Sequence, residues 1–202
     1  MCGFEIKSKL LANKELKAVA ALHSQSINLG FLSQLGNSFL FYLYKSLSES
    51  DGSILILAKY EDDIVGFVSG SVGLGSVYKH LVRHHFVGVA LALTPNIFSL
   101  SKLKRIFETL FYSTQDDGPE GLPRSELLSL AVQEDFRKSG VATKMCQELI
   151  KQFRKNGLST FKIIVGEELQ GAQRFYENMG AVKVGIIEVH KGSKSLVYRL
   201  EI

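Results

Sequence analysis

The sequence predicts an α/β fold: a mixed central sheet with helices on both faces. Two observations point there. Residues 53–60 and 64–70 are strand-like runs joined by Glu61-Asp62-Asp63, which is a hairpin and requires antiparallel pairing. From residue 126 onward the pattern alternates strand, helix, strand, helix and closes on a strand pair. That alternation requires a parallel βαβ unit, so the sheet is mixed.

Residues 4–7 are expected to form a short first strand. Residues 14–27 carry Leu16, Val19, Ala20 and Ile27 on one helical face, and Leu35, Phe39, Leu43 and Leu47 recur every four residues in a second helix. Gly30 and Gly36 punctuate the join. After the hairpin, Leu81, Phe86, Val87 and Leu91 are expected to form one helix that Pro95 breaks. Leu100, Leu103, Ile106, Phe107, Leu110 and Phe111 mark a further amphipathic helix, and residues 116–123 a loop. The second half then reads as a strand at 126–132, a helix at 140–155 and a strand at 161–165. A helix at 170–179 stopped by Gly180 follows, with last strands at 181–190 and 195–202 turned by Lys191-Gly192-Ser193.

The 202 residues hold 24 Lys plus Arg against 20 Asp plus Glu, a net +4, with 46% hydrophobic and 22% charged residues. This composition excludes disorder and coiled coil as the main state. The mild basic excess argues against a dedicated nucleic-acid partner and suits a small polyanionic ligand. Cys2 and Cys146 are too few for a disulfide framework, which favours a reducing compartment. The polar start and an apolar run far short of the ~20 residues that span a bilayer favour a cytoplasmic protein without a membrane partner.

The chemistry concentrates at Ser125-Glu-Leu-Leu-Ser-Leu-Ala-Val-Gln-Glu-Asp-Phe-Arg-Lys-Ser-Gly-Val-Ala-Thr143. A buried strand ends at Val132, and a short loop with Arg137, Lys138 and Ser139 opens a helix at Gly140. The first amides of that helix lack internal partners and carry the positive end of its dipole. They offer a site for a phosphate or pyrophosphate. The loop is neither a Walker loop nor a dinucleotide fingerprint, because the GKS or GKT ending and the three glycines are absent.

Arg137-Lys-Ser-Gly140-Val-Ala142 resembles the Arg/Gln-x-x-Gly-x-Gly/Ala loop of the GNAT superfamily of N-acetyltransferases. Gly171-Ala-Gln-Arg-Phe-Tyr-Glu-Asn-Met-Gly180 is similar to that family's Ala-x-x-Phe-Tyr-Glu-x-x-Gly-Phe helix, at the family's spacing downstream. The hairpin 55–70 resembles its second and third strands. Two departures stand out: Leu169 occupies a position where the family often has Asn, and Ala181 replaces the usual aromatic after Gly180.

The resemblance implies a single acetyltransferase domain over 1–202, with 74–124 as a variable helical insertion before the fourth strand. It implies acetyl-CoA as co-substrate and no metal. Backbone of Leu130, Ala131 and Val132 would run beside the pantetheine arm. Arg137 would add charge beside the pyrophosphate, held by amides of Lys138, Ser139, Gly140, Val141, Ala142 and Thr143. Tyr176 stands where the family places the acid that protonates the leaving thiolate. Glu126, eleven residues before Arg137, matches the catalytic base of some members. Glu167 and Glu168 are alternative bases, and Glu134 reads as structural.

Cys146, in mid-helix, reads as core packing rather than a nucleophile, so direct transfer is expected. His80 and His84 stand at i, i+4, but no third ligand follows at a clear spacing, so His80, His84 and His85 read as a solvated cationic face. His23 reads as a core histidine. The acceptor is expected to be the amine of a small metabolite or amino sugar, since the early helices with Phe31, Phe39 and Tyr42 resemble the family's small-molecule branch. The helices of 76–115 would wall the acceptor site or form a homodimer contact. Three other readings stay open: an acetyltransferase acting on a protein amine, a non-catalytic acyl-CoA sensor, and a nucleic-acid or membrane-surface binder using Lys102, Lys104 and Arg105.

Overall fold

The computed structural model describes residues 3–8, 11–27, 32–97, 121–190 and 193–202. The chain runs β1 (Glu5–Lys7), α1 (Asn13–Ser26), a 3-10 turn (Leu32–Leu35), α2 (Asn37–Glu49), β2 (Ser53–Tyr60), β3 (Asp63–Ser71) and α3 (Leu74–Ile97). It continues with β4 (Glu126–Val132), a second 3-10 turn (Glu134–Phe136), α4 (Val141–Lys155), β5 (Thr160–Gly166), α5 (Gln170–Asn178), β6 (Val182–His190) and β7 (Ser193–Glu201). The expected helix over 100–111, the basic cluster at Lys102, Lys104 and Arg105, most of the loop after it, Phe31, Gly30 and the turn at Lys191-Gly192 lie outside the described residues.

The strands form one seven-stranded sheet in the order β1-β2-β3-β4-β5-β7-β6. Only β4 and β5 pair in parallel; the other neighbours are antiparallel. A strand covered on both faces has no polar side to alternate with, which is why β2 reads as a continuous apolar run. Its Leu55 and Leu57 join a core under α1, α2 and α3, with Leu16, Leu40, Phe67 and Leu81. Its Ile54 and Ile56 join a second core under α4 and α5, with Val68, Met145, Leu149, Phe153 and Tyr176. The predicted mixed sheet with helices on both faces is the observed architecture.

α3 departs from expectation in two ways. It runs through Pro95 to Ile97, and its break is at His85, whose backbone is non-helical (φ −127°, ψ 16°). Proline removes the N–H that would have reached the Leu91 carbonyl; here the Thr94 hydroxyl donates to that carbonyl instead. Leu81 is in the core, whereas Phe86, Val87 and Leu91 are exposed. Residues five apart on a helix lie about 140° apart around its axis, so Leu81 and Phe86 do not share a face.

Contact between α4 and the sheet depends on two glycines of β3. A Cβ at Gly70 would lie 2.7 Å from Phe153 Cζ and 3.0 Å from Leu149 Cδ1; one at Gly66 would lie 2.9 Å from Met145 Cε. Gly70→Ala is therefore expected to destabilise the protein by about 1–3 kcal/mol, the usual cost of overpacking, in denaturant unfolding. Gly73→Ala, where a Cβ meets nothing within 4 Å, serves as the control.

Candidate functional site

The site begins where β4 and β5 part. They pair only at Glu126↔Lys162 and Leu127↔Ile163. On its other edge β4 stays paired to β3 through Ser69↔Ser129 and on to Gly66↔Val132. The register skips Leu128, because Ser69 opposes Ser129 while Gly70 opposes Leu127. Such a bulge bends its strand and strengthens the local twist. Beyond it, the β5-facing backbone of residues 128–132, including Leu130, Ala131 and Val132, lies outside any ladder. An extended ligand can add to that edge as a strand does.

β4 leads into the loop that carries Arg137 to Thr143. Gln133 anchors its start, its backbone N–H on the Val65 carbonyl and its side-chain Nε2 on the Ile64 carbonyl at 2.9 Å. Arg137 Nε turns back to the Val132 carbonyl (3.4 Å), and the Ser139 hydroxyl donates to the Phe136 carbonyl (2.6 Å). Both side chains therefore brace the loop. Lys138 and Gly140 have positive φ, 61° and 85°. The first helical bond of α4 is Lys144 N–H to the Gly140 carbonyl, so the amides of Val141, Ala142 and Thr143 precede the helical ladder. Val141 is buried and pins the helix start, while Lys138, Ser139, Gly140 and Thr143 are exposed. A Cβ at Gly140 would meet nothing within 4 Å. An open apex over unpaired amides is a cradle that a pyrophosphate fits.

At the opposite end of β4, Glu126 sits against Lys162 of β5, Oε2 to Nζ at 3.7 Å, with side chains 14% and 17% exposed. Burial pushes the Glu126 carboxyl up to about 7, and the Lys162 ammonium holds it from rising further. It is thus no solvent-facing strand-start residue. Lys162 was not singled out from the sequence, although β5 alternates buried and half-buried positions and Lys162 is half-buried.

Tyr176 of α5 is 6% exposed. Burial, with Cys146 beside it, raises its phenol far above the ordinary range, so it stays protonated. Cys146 is in the core, its thiol pushed up to about 12 by burial, which suits packing and not nucleophilic attack. Leu169 is the exposed N-cap of α5; one turn on, Gln173 Nε2 donates to the Gly166 and Glu167 carbonyls at 3.1 and 2.9 Å and ties the helix to the end of β5. Glu134, Glu167 and Glu168 are exposed.

The histidines divide. His23 is buried, held down to about 4 by desolvation, with Nδ1 at 2.6 Å from the Tyr44 hydroxyl; its Nε2 has no partner. Only His84 is solvated as expected. His85 bonds Glu49 and His80 bonds Ser46, which replaces the cationic face with a polar cluster between α2 and α3. α3 also walls a cleft of about 730 Å³ against α1 and α2, with Tyr42 packed over Gly88. Phe39, by contrast, is in the core. Among the described residues, no helix is long and apolar enough to cross a membrane.

A family model described as the acetyltransferase (GNAT) family matches residues 24–181. No curated protein gives a significant match. Among solved structures, an N-acetyltransferase from Staphylococcus aureus superposes with a TM-score of 0.62 at 11% identity, covering 98% of each chain. The ribosomal-protein-S18-alanine N-acetyltransferase from Escherichia coli gives 0.58 at 13% identity, covering 98% of this chain and 94% of that one. The PaiA N-acetyltransferase from Thermoplasma acidophilum, in complex with coenzyme A, gives 0.56 at 9% identity, covering 98% and 99%. At these identities the likeness is one of fold.

The Glu126 carboxyl has a stability signature. Its folded value, about 7, lies above its ordinary value of 4.5. The protonated folded form is thus favoured, a contribution fully present below pH ~4.5 and lost as pH rises through ~7. Glu126→Gln is expected to remove this loss, so that its melting temperature gains on wild type across that window, read by melts at stepped pH.

Proposed function

The chain belongs to the GNAT acetyltransferase family and is an acyltransferase; from that premise we propose that it moves the acetyl group of acetyl-CoA directly onto a primary amine of a small metabolite or amino sugar. The observation that carries this reading is one continuous line. β4 is paired to β5 at its start, where burial pushes the Glu126 carboxyl up to about 7, and from there its unladdered edge, beginning after Leu127, leads to the open amides at Gly140.

In this reading the amides of Lys138 to Thr143 hold the pyrophosphate. Hydrogen bonds to charged groups are worth about 1.5–3 kcal/mol each, so a few offset much of the ordering cost. The backbone of Leu130, Ala131 and Val132 aligns the pantetheine arm, and that positioning is most of the catalysis. Acetyl-CoA supplies an activated acetyl group on a thiol leaving group. Glu126, a carboxylate above pH ~7, takes the proton that an ammonium acceptor must lose before its nitrogen attacks. Tyr176, kept protonated by burial, offers its O–H as a hydrogen bond to the departing sulfur as negative charge develops there. A small acceptor is favoured by the cleft between α1, α2 and α3. Its lining comes from α1, α2 and α3 and includes no residue of the β4 edge or of α5; its polar wall of Asn13, Lys17, Asn37 and Ser38 is neutral and cationic, a poor match for a basic peptide.

Gly140→Glu is expected to weaken coenzyme A binding at least about a hundredfold in calorimetry, by placing a carboxylate on the phosphate cradle and an L side chain at φ 85°, while circular dichroism shows the fold retained; retained affinity refutes the cradle. Tyr176→Phe is expected to lower kcat by about 10²-fold or more with KM for acetyl-CoA little changed; an unaltered kcat removes its acid role. Glu126→Gln is expected to abolish the acid limb of the rate profile near pH 7, and an unchanged limb clears Glu126 as the base. Tight acetyl-CoA binding with no turnover on a panel of amines identifies a sensor instead.

A further inference from the structure

His80, His85 and Glu49 converge where the end of α2 lies against the kink of α3. One ligand atom from each of the three side chains lies within 4.8 Å of those of the other two. His85 Nε2 is 2.9 Å from Glu49 Oε2, while Glu49 Oε1 faces Lys45 Nζ at 3.2 Å. A regular helix would project residues five apart about 140° apart around its axis. The non-helical backbone at His85 brings its ring to 5.8 Å from that of His80, centroid to centroid. The kink therefore falls on the residue whose redirection completes the cluster.

The tautomer of His80 is set by its neighbour. The buried Ser46 hydroxyl gives its proton to the Val77 carbonyl at 2.9 Å. Its oxygen is then free only to accept, so the 3.1 Å contact with His80 is an Nδ1–H donation to Ser46 Oγ. His80 Nε2 keeps its lone pair. Metal-bound histidines are held this way, one nitrogen donating to an oriented partner and the other ligating.

We propose that His80, His85 and Glu49 bind one Zn²⁺, with water in the remaining position, and that the ion clamps α2 to α3 at the kink. Two imidazoles and a carboxylate are a zinc donor set, and bonds near 2.0–2.1 Å put tetrahedral ligand atoms about 3.4 Å apart. His85 Nε2 and Glu49 Oε2, 2.9 Å apart, open slightly to that spacing while the distances to His80, within 4.8 Å, shorten; Glu49, its side chain 40% exposed, has room to move with them. His84 stacks on His80, centroids 4.2 Å apart, with Nδ1 at 3.2 Å from the His80 carbonyl, and is not one of the three ligands.

The test is Zn²⁺ titration of the untagged chain by calorimetry, with Co²⁺ absorption reporting coordination number. One Zn²⁺ per chain, a raised melting temperature and a tetrahedral Co²⁺ spectrum are expected. His85→Ala and Glu49→Gln should each weaken binding at least about tenfold, and Ser46→Ala should weaken it about 10–100-fold through the lost orienting bond. His84→Ala should leave the affinity within about twofold of wild type, against the tenfold marking a lost group. Absence of stoichiometric binding, or affinity unchanged in both His85→Ala and Glu49→Gln, overturns the proposal. A loss in His84→Ala equal to that in His85→Ala also overturns it, because it moves the ion to an i, i+4 pair on one helix. None of these readouts depends on acetyl transfer.

Discussion

The separation of β4 from β5 after two paired positions is the constraint on which the rest of the site depends. Parallel strands in a buried sheet ordinarily satisfy one another's backbone groups along their length. Here β3 keeps one edge of β4 through Val132, and β7 keeps the far edge of β5 through Gly166. Neither strand can drift, so the gap between them is fixed rather than collapsed. The bulge at Leu128 supplies the bend at the point where the two diverge.

That gap gives the two ends of β4 opposite chemical characters. At its start, Glu126 is held in the sheet with one ammonium nearby, and burial raises its carboxyl. At its end, the chain emerges into an exposed loop that leads to helix-start amides preceding the hydrogen-bond ladder of α4. Arg137 and Ser139 show how the loop holds its shape, since both side chains bond carbonyls a few residues back. Lys138 and Gly140 adopt left-handed backbone around Ser139; an L side chain such as that of Lys138 adopts it at a cost, and only at Gly140 is the conformation free.

The helical layer on the other face follows a different logic. α1, α2 and the first half of α3 bury a conventional apolar core. Past His85, α3 turns Phe86, Val87 and Leu91 outward, keeps Val89, Ala92 and Leu93 against the core and brings Gly88 under Tyr42. The break is also where polar side chains collect, with buried Ser46, half-buried His80 and His85 and exposed Glu49 meeting across two helices.

The sequence by itself determined the α/β class, the order of the described elements, the approximate limits of all but α3, and the loop–helix start at Gly140, because periodicity, turn residues and motif spacing are local properties. Cys146 as core was likewise legible from its place on an amphipathic helix. Tertiary structure decided what depends on residues far apart in the chain. The raised Glu126 carboxyl requires burial beside Lys162, the wedge at β4 requires knowing where pairing with β5 stops, and Glu49 reaches the histidines of α3 only because α2 packs on it. Chain spacing has no term for these contacts, since each pairs groups from separate elements and its energy is set by the solvent that folding removes from between them.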